Sequence, residues 1–145
     1  MATPKMIFVN LPVRDLGKSI AFYESLGFTN EPRFTDETAA CMQWSDTIFV
    51  MILTHDKWRV FTRRPIPDAG SSEVSLALTS ESRAAVDAMA DAAAANGGAA
   101  DVNPAQDHGF MFSRSFADPD GHVWEPMWMD PAVANGEAPL PGGTR

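Results

Sequence analysis

Side chains able to do chemistry are sparse in this chain, and the best placed is Glu125. It lies in Phe116-Ala117-Asp118-Pro119-Asp120-Gly121-His122-Val123-Trp124-Glu125-Pro126-Met127-Trp128-Met129-Asp130. The stretch reads as a strand end, a tight turn and a returning strand. Pro119 presets φ at the second turn position, and Gly121 takes the positive φ that closes the turn. A period of two sends Val123, Glu125, Met127 and Met129 to one face, and His122, Trp124, Pro126 and Trp128 to the other. A carboxylate among valine, methionine and tryptophan is costly to bury without a partner. Two roles suit it. One is a bond inside the fold, with Arg114 or Asn10 as partner. The other is ligand contact, as an acceptor for an amine or hydroxyl or as a general base with a raised pKa.

The other candidates are weaker. Asn10 and Gln43 are polar residues within strands, and each either lines a pocket or bonds neighbouring backbone. Trp44, Phe110, Phe112, Trp124, Met127 and Trp128 form an aromatic and methionine-rich set, suited to a core or to the walls around a flat hydrophobic ligand. His55, His108 and His122 read as surface or turn residues, although a one-residue register slip would exchange the faces of any strand. Asp107 to Met111 has the look of a loop over a pocket mouth.

The elements that must position these residues follow from patterning. Met6–Val13 alternates as a strand, and Asp15 caps a helix with the apolar stripe Leu16, Ile20, Tyr23 and Leu26, which Gly27 stops. Ala39–Trp44 and Thr47–Leu53 are strands joined through Ser45-Asp46, and Thr54 or Asp56 starts a short helix through Phe61. Residues 63–71 have linker composition. The plan then restarts: a strand over Glu73–Thr79, an alanine-rich helix capped by Ser80 or Ser82 and ended by Asn96-Gly97-Gly98, then strands over Gly109–Phe116 and His122–Met129. The chain is therefore expected to be one α+β domain, residues 1–130, of two βαβββ modules (about 5–62 and 72–130). Together they form a curved mixed sheet with a concave cup. A proline- and glycine-rich tail, 131–145, is expected to be loose or docked on a neighbour.

Composition sets limits. At 145 residues, 45% hydrophobic and 21% charged, the chain is an ordinary globular domain. A formal charge of −8 argues against nucleic acid as partner and mildly favours a cationic or neutral ligand. No apolar run reaches the ~20 residues of a membrane span. The first residues carry no signal-like hydrophobic region, and Cys41 alone excludes an internal disulfide. A cytoplasmic protein is expected.

The opening Ile7-Phe8-Val9-Asn10-Leu11-Pro12-Val13-Arg14-Asp15-Leu16, then Ser19-Ile20-Ala21-Phe22-Tyr23, Leu26-Gly27-Phe28, and the closing Asp118-Pro119-Asp120-Gly121-His122-Val123-Trp124-Glu125 are similar to the vicinal oxygen chelate superfamily. That superfamily holds glyoxalase I, extradiol dioxygenases and bleomycin resistance proteins. The likeness runs over about residues 5 to 130 and is nearest to the bacterial lactoylglutathione lyase-like branch. It implies four side chains holding one divalent ion, at positions that fall on Phe8, Ile52, Ser75 and Glu125. Only Glu125 has ligand chemistry. The resemblance also implies a homodimer.

The expected function is therefore small-molecule binding without a metal or other cofactor, a hydrophobic or cationic ligand being held in the sheet cup by Phe8, Asn10, Gln43, Trp44, Ser75, Arg114 and Glu125. The alternative is a glyoxalase-type lyase or dioxygenase with a non-standard metal site using Glu125. A third possibility is a regulatory domain whose cup is packed shut by Phe8 and Ile52.

Overall fold

The computed structural model describes residues 3–141. The first module runs β1 (Ile7–Val13), α1 (Leu16–Ser25), β2 (Thr29–Glu31), a 3-10 turn (Pro32–Phe34), β3 (Ala39–Gln43), β4 (Ile48–Thr54) and α2 (His55–Phe61). The second runs β5 (Ser75–Thr79), α3 (Arg83–Ala95), β6 (Ala99–Ala100), β7 (Gln106–Asp107), β8 (Met111–Ser113), β9 (Phe116–Ala117) and β10 (Val123–Met129), followed by a helical turn α4 (Pro131–Ala134). Side-chain caps set the helix starts: Asp15, Thr54 and Ser82 accept from the amides of Lys18, Lys57 and Ala85. Gly27, at φ 107°, ends α1 in a conformation that disfavours residues with a Cβ.

The repeat is visible in the sheets. One has the order β1-β4-β3-β2, with β1 parallel to β4. In the other, β5 lies parallel to β10, whose far side pairs antiparallel with β8 and β9, and these pair with β7 and β6. The β8 and β9 registers against β10 are continuous, so the two act as one strand. Pro126 interrupts the ladder: its carbonyl accepts from the Arg114 amide at 3.3 Å, but it has no N–H to return.

Each sheet buries one face and leaves the other open. Val13, Val50, Ile52, Leu78, Phe116 and Trp124 turn inward to join Phe22, Tyr23, Phe28 and Met89 in one core spanning both modules. The closing turn locks the halves together. Asp118 accepts the amides of Asp120 and His122, each at 2.9 Å, and the Tyr23 hydroxyl at 2.6 Å. The same hydroxyl accepts from the Trp124 indole at 3.1 Å. Arg14 adds bonds to Asp120 at 2.9 Å and to the Pro119 carbonyl at 2.6 Å. Burial raises the Asp118 pKa and, with the Asp118 charge beside it, pushes Tyr23 well above the ordinary range.

Two segments differ from their compositional reading. The linker is docked as a strap: a Cβ on Gly121 would stand 2.1 Å from the Ala69 carbonyl oxygen, so only glycine lets strap and turn approach this closely. The tail begins with an ordered turn, α4, capped by Asp130 on the Ala132 amide at 3.0 Å; residues 142–145 of that expected tail lie outside the described residues.

Candidate functional site

Strand pairing fixes which residues share the open faces. In the first module the open-face rows are Phe8–Phe49–Gln43, Asn10–Met51–Cys41 and Pro12–Leu53–Ala39. In the second they include Ser75–Val123–Ala117 and Ala77–Glu125. Phe8 and Ser75 stand equally far ahead of α1 and α3, so Phe8 corresponds to Ser75 and Asn10 to Ala77. Carried across the pairs, Glu125 corresponds to Met51.

This corrects one expected ligand position. Ile52 is 0% exposed and belongs to the core on the helix side, where it contacts no open face. Met51 holds the open-face position instead, and its thioether is a poor donor for a hard divalent ion. The four matching positions are then Phe8, Met51, Ser75 and Glu125: one carboxylate, one hydroxyl and two groups of no use to such an ion. This donor set does not fit the superfamily's metal. Among the described residues, no group of three or more His, Cys, Asp or Glu lies close enough to hold one elsewhere.

Glu125 is half-buried on its open face, as parity required, and joins none of the ion pairs among the described residues. Arg114 is not its partner. Arg114 sits opposite Pro126 and therefore faces the helix side, where it bonds Asp101 at 2.8 and 3.0 Å, Asp87 at 2.9 Å and Asp91 at 3.2 Å. Its bonds to Asp101 come first in raising its pKa, and they lower that of Asp101 in turn. So engaged, Arg114 is a tie between α3 and the sheet.

The remaining expected residues are scattered. Phe8 stacks on Phe49 at 4.7 Å and is half-exposed. Gln43 donates to the Ser45 carbonyl at 3.2 Å, within its own hairpin. Trp44 packs on Phe28 at 4.8 Å and lines a cleft of about 660 Å³ between the end of α1 and α3, away from Glu125. Ser75 lines a smaller cavity of about 490 Å³ beside the strap. His122 lies just before β10, and its Nε2 is 2.7 Å from the Pro12 carbonyl. A carbonyl only accepts, so this nitrogen carries a proton.

A further cavity, of about 780 Å³, lies at the seam between the modules. Asn10, Leu11 and Pro12 of β1 form one wall, and Leu76 of β5 with Val74 just ahead of it the other. The strap contributes Arg64, Pro65, Pro67 and Ser71 to Glu73; α2 contributes Trp58, and the closing turn Gly121 to Val123. Both walls are unpaired strand edges. The Ile7 amide donates to the Thr47 carbonyl at 2.9 Å, so Ile7, Val9, Leu11 and Val13 turn their peptide groups toward β4. By alternation the peptide groups of Phe8, Asn10 and Pro12 face the free edge, which is why the Pro12 carbonyl can meet His122. The lining is mainly apolar, with the Asn10 amide and peptide groups, Arg64 and Glu73 as polar points.

Of the seven residues expected to contact a ligand, this cavity contains only Asn10. Trp58, Arg64, Glu73, His122 and Val123 were missed. The one available signal was a tryptophan in a short helix immediately before a proline-rich linker, the arrangement of a strap closing over an apolar side chain.

Comparisons with known proteins agree with this architecture. The sequence model of the Glyoxalase/Bleomycin resistance protein/Dioxygenase superfamily matches residues 5–125. A hypothetical protein from Staphylococcus aureus superposes with a TM-score of 0.73 at 23% identity, over 88% of this chain and 95% of its own. A glyoxalase-related enzyme from Fulvimarina pelagi gives 0.72 at 20% identity, over 87% of this chain and 88% of its own. A bleomycin resistance determinant encoded on transposon Tn5 gives 0.59 at 20% identity, over 88% and 99%. At these identities the structural likeness speaks for the fold alone. No curated protein sequence matches this chain.

Proposed function

This chain belongs to the Glyoxalase/Bleomycin resistance protein/Dioxygenase superfamily, and from that premise we propose that it binds an apolar small molecule at the seam between its two modules, without a divalent metal. The observation that carries this reading is the cavity of about 780 Å³ bordered by the strap, within the size of small-molecule sites and lined mainly by apolar side chains. The donors at Phe8, Met51, Ser75 and Glu125 support the metal-free half of the proposal. A Lewis acid that polarises substrate oxygens needs several hard ligands, and these positions supply one carboxylate. That disfavours a lyase or dioxygenase mechanism of the superfamily's metal-dependent kind.

Asn10 is the specificity point of this reading. Its side-chain amide makes one long bond, 3.4 Å to the Phe8 carbonyl, and is free to turn toward a bound molecule. The proposal includes a homodimer, supported by the apolar groups left exposed at the start of β1, where Ile7 and Phe8, on opposite faces of the strand, are 54% and 50% exposed.

A thermal-shift screen of metals, thiol conjugates, cationic antibiotics and aromatic compounds tests the proposal. A one-site ligand stabilises by about 2.7 kcal/mol at a hundredfold excess over Kd. The expected result is a shift from an aromatic compound that survives EDTA and is lost in Val74→Trp, which fills the cavity from an exposed position on its wall. A shift that needs a divalent ion contradicts the proposal.

A further inference from the structure

A strand residue whose N–H and C=O both face a free edge is half of a ladder. It can exchange two hydrogen bonds with one residue of another extended chain. Where β1 borders the seam, Leu11 bonds toward β4, while Pro12 has no N–H and its carbonyl meets His122. That leaves Asn10. Its peptide N–H and C=O face the free edge, where β1 has no neighbouring strand and no turn or loop bond among the described residues reaches them. Across the seam β5 repeats the arrangement. The Ser80 amide donates to the Met127 carbonyl at 2.6 Å, so the even-numbered residues of β5 bond β10, and Ser75 and Ala77 turn their peptide groups to the unpaired side.

Two charges border the same cavity. Arg64 of the strap and Glu73, two residues ahead of β5, both line it and are exposed. Neither joins an ion pair among the described residues. A ligand that answers these features has apolar side chains, an extended backbone with amides of its own, an anionic end and a cationic end. We propose that the seam binds a short apolar peptide: one residue pairs by strand addition with the Asn10 backbone, the terminal carboxylate meets Arg64, and the terminal ammonium meets Glu73. Three extended residues span about 10 Å, on the scale of a cavity of about 780 Å³. This inference rests on the cavity reading above and adds the class of the ligand.

Calorimetric titration with the tripeptide alanyl-phenylalanyl-alanine tests it. Two variants of the peptide are N-methylated, one on the phenylalanine amide and one on the amide of the last alanine. In an extended chain these two N–H groups point to opposite sides, so only the first can bond Asn10. The wild-type protein should bind the parent peptide, and methylation at phenylalanine should weaken it about tenfold, the effect of one lost hydrogen bond. Methylation at the last alanine should change little. Arg64→Gln, at an exposed position, should weaken the parent about tenfold and leave its C-terminal carboxamide unchanged. Equal affinity of the two methylated peptides overturns the strand addition. An Arg64→Gln effect that is absent, or equal on acid and carboxamide, overturns the placing of the carboxylate. 8-Anilinonaphthalene-1-sulfonate is the reference probe. If it binds and the tripeptide does not, this inference falls and the cavity stands; if neither binds, both fall.

Discussion

Asp118 is where single atoms matter most in this molecule. Its two oxygens hold two turn amides and the Tyr23 hydroxyl, and that hydroxyl holds the Trp124 indole. Tyr23→Phe leaves a buried carboxylate oxygen and a buried indole N–H unpaired, so the expected loss is about 2–4 kcal/mol, read as a lower urea midpoint at constant slope. The pKa of Asp118 is raised in the folded state, first by desolvation. Its contribution to stability is therefore fully present below the unfolded carboxylate value and is lost as pH rises through the raised folded one. Asp118→Asn should remove that part of the pH dependence, and urea midpoints collected from acid to neutral pH check it. Burial also raises the pKa of Cys41, which is 1% exposed. Its thiol should resist a disulfide reagent in the native protein and react at once in urea. At this scale the sequence was half legible. Alternation placed Glu125 on the open face correctly, because a period of two survives any error in strand length. It misplaced Ile52 by one residue, and a one-residue error exchanges core for open face. It offered Arg114 to Glu125 because attraction between opposite charges carries no parity, whereas the register against Pro126 does.

Among the elements, the strap and α2 line the proposed site. Residues 63–71 have the composition of a flexible connector, yet they border the seam, since the turn at Gly121 gives Ala69 a surface to rest on. Composition reports solubility and backbone freedom, and neither says what a segment docks against. Gly121→Ala tests the docking. The new Cβ meets the Ala69 carbonyl, and φ of 90° disfavours it even in open space. The expected outcome is a loss of about 2 kcal/mol or more, with faster proteolysis within 63–71 than in the wild-type protein. Equal proteolysis rates would show that strap and turn are not coupled. The helices, by contrast, were legible to within a few residues, because Asp15, Ser82 and Gly27 act through local backbone chemistry that needs no tertiary context. Ser82 and Thr54 are the caps taken from the pairs the sequence offered, and α4 was unexpected.

For the whole molecule, two modules share one core and meet along the unpaired edges of β1 and β5. The βαβββ repeat and its closing turn were readable because each βαβββ unit carries its own periodicity. The seam was not, since it arises where two units meet and no local pattern encodes it. For the same reason the candidate site moved from the open faces to the space between the modules. At the positions matching the superfamily's metal ligands, Phe8 and Met51 bring no hard donor, leaving the Ser75 hydroxyl and the Glu125 carboxylate. The most direct test is titration of EDTA-treated protein with 8-anilinonaphthalene-1-sulfonate, comparing wild type with Val74→Trp. One saturable site that persists without divalent ions and disappears in the variant is the predicted result. Binding that returns only with a divalent ion, or that is equally tight in Val74→Trp, would contradict the account.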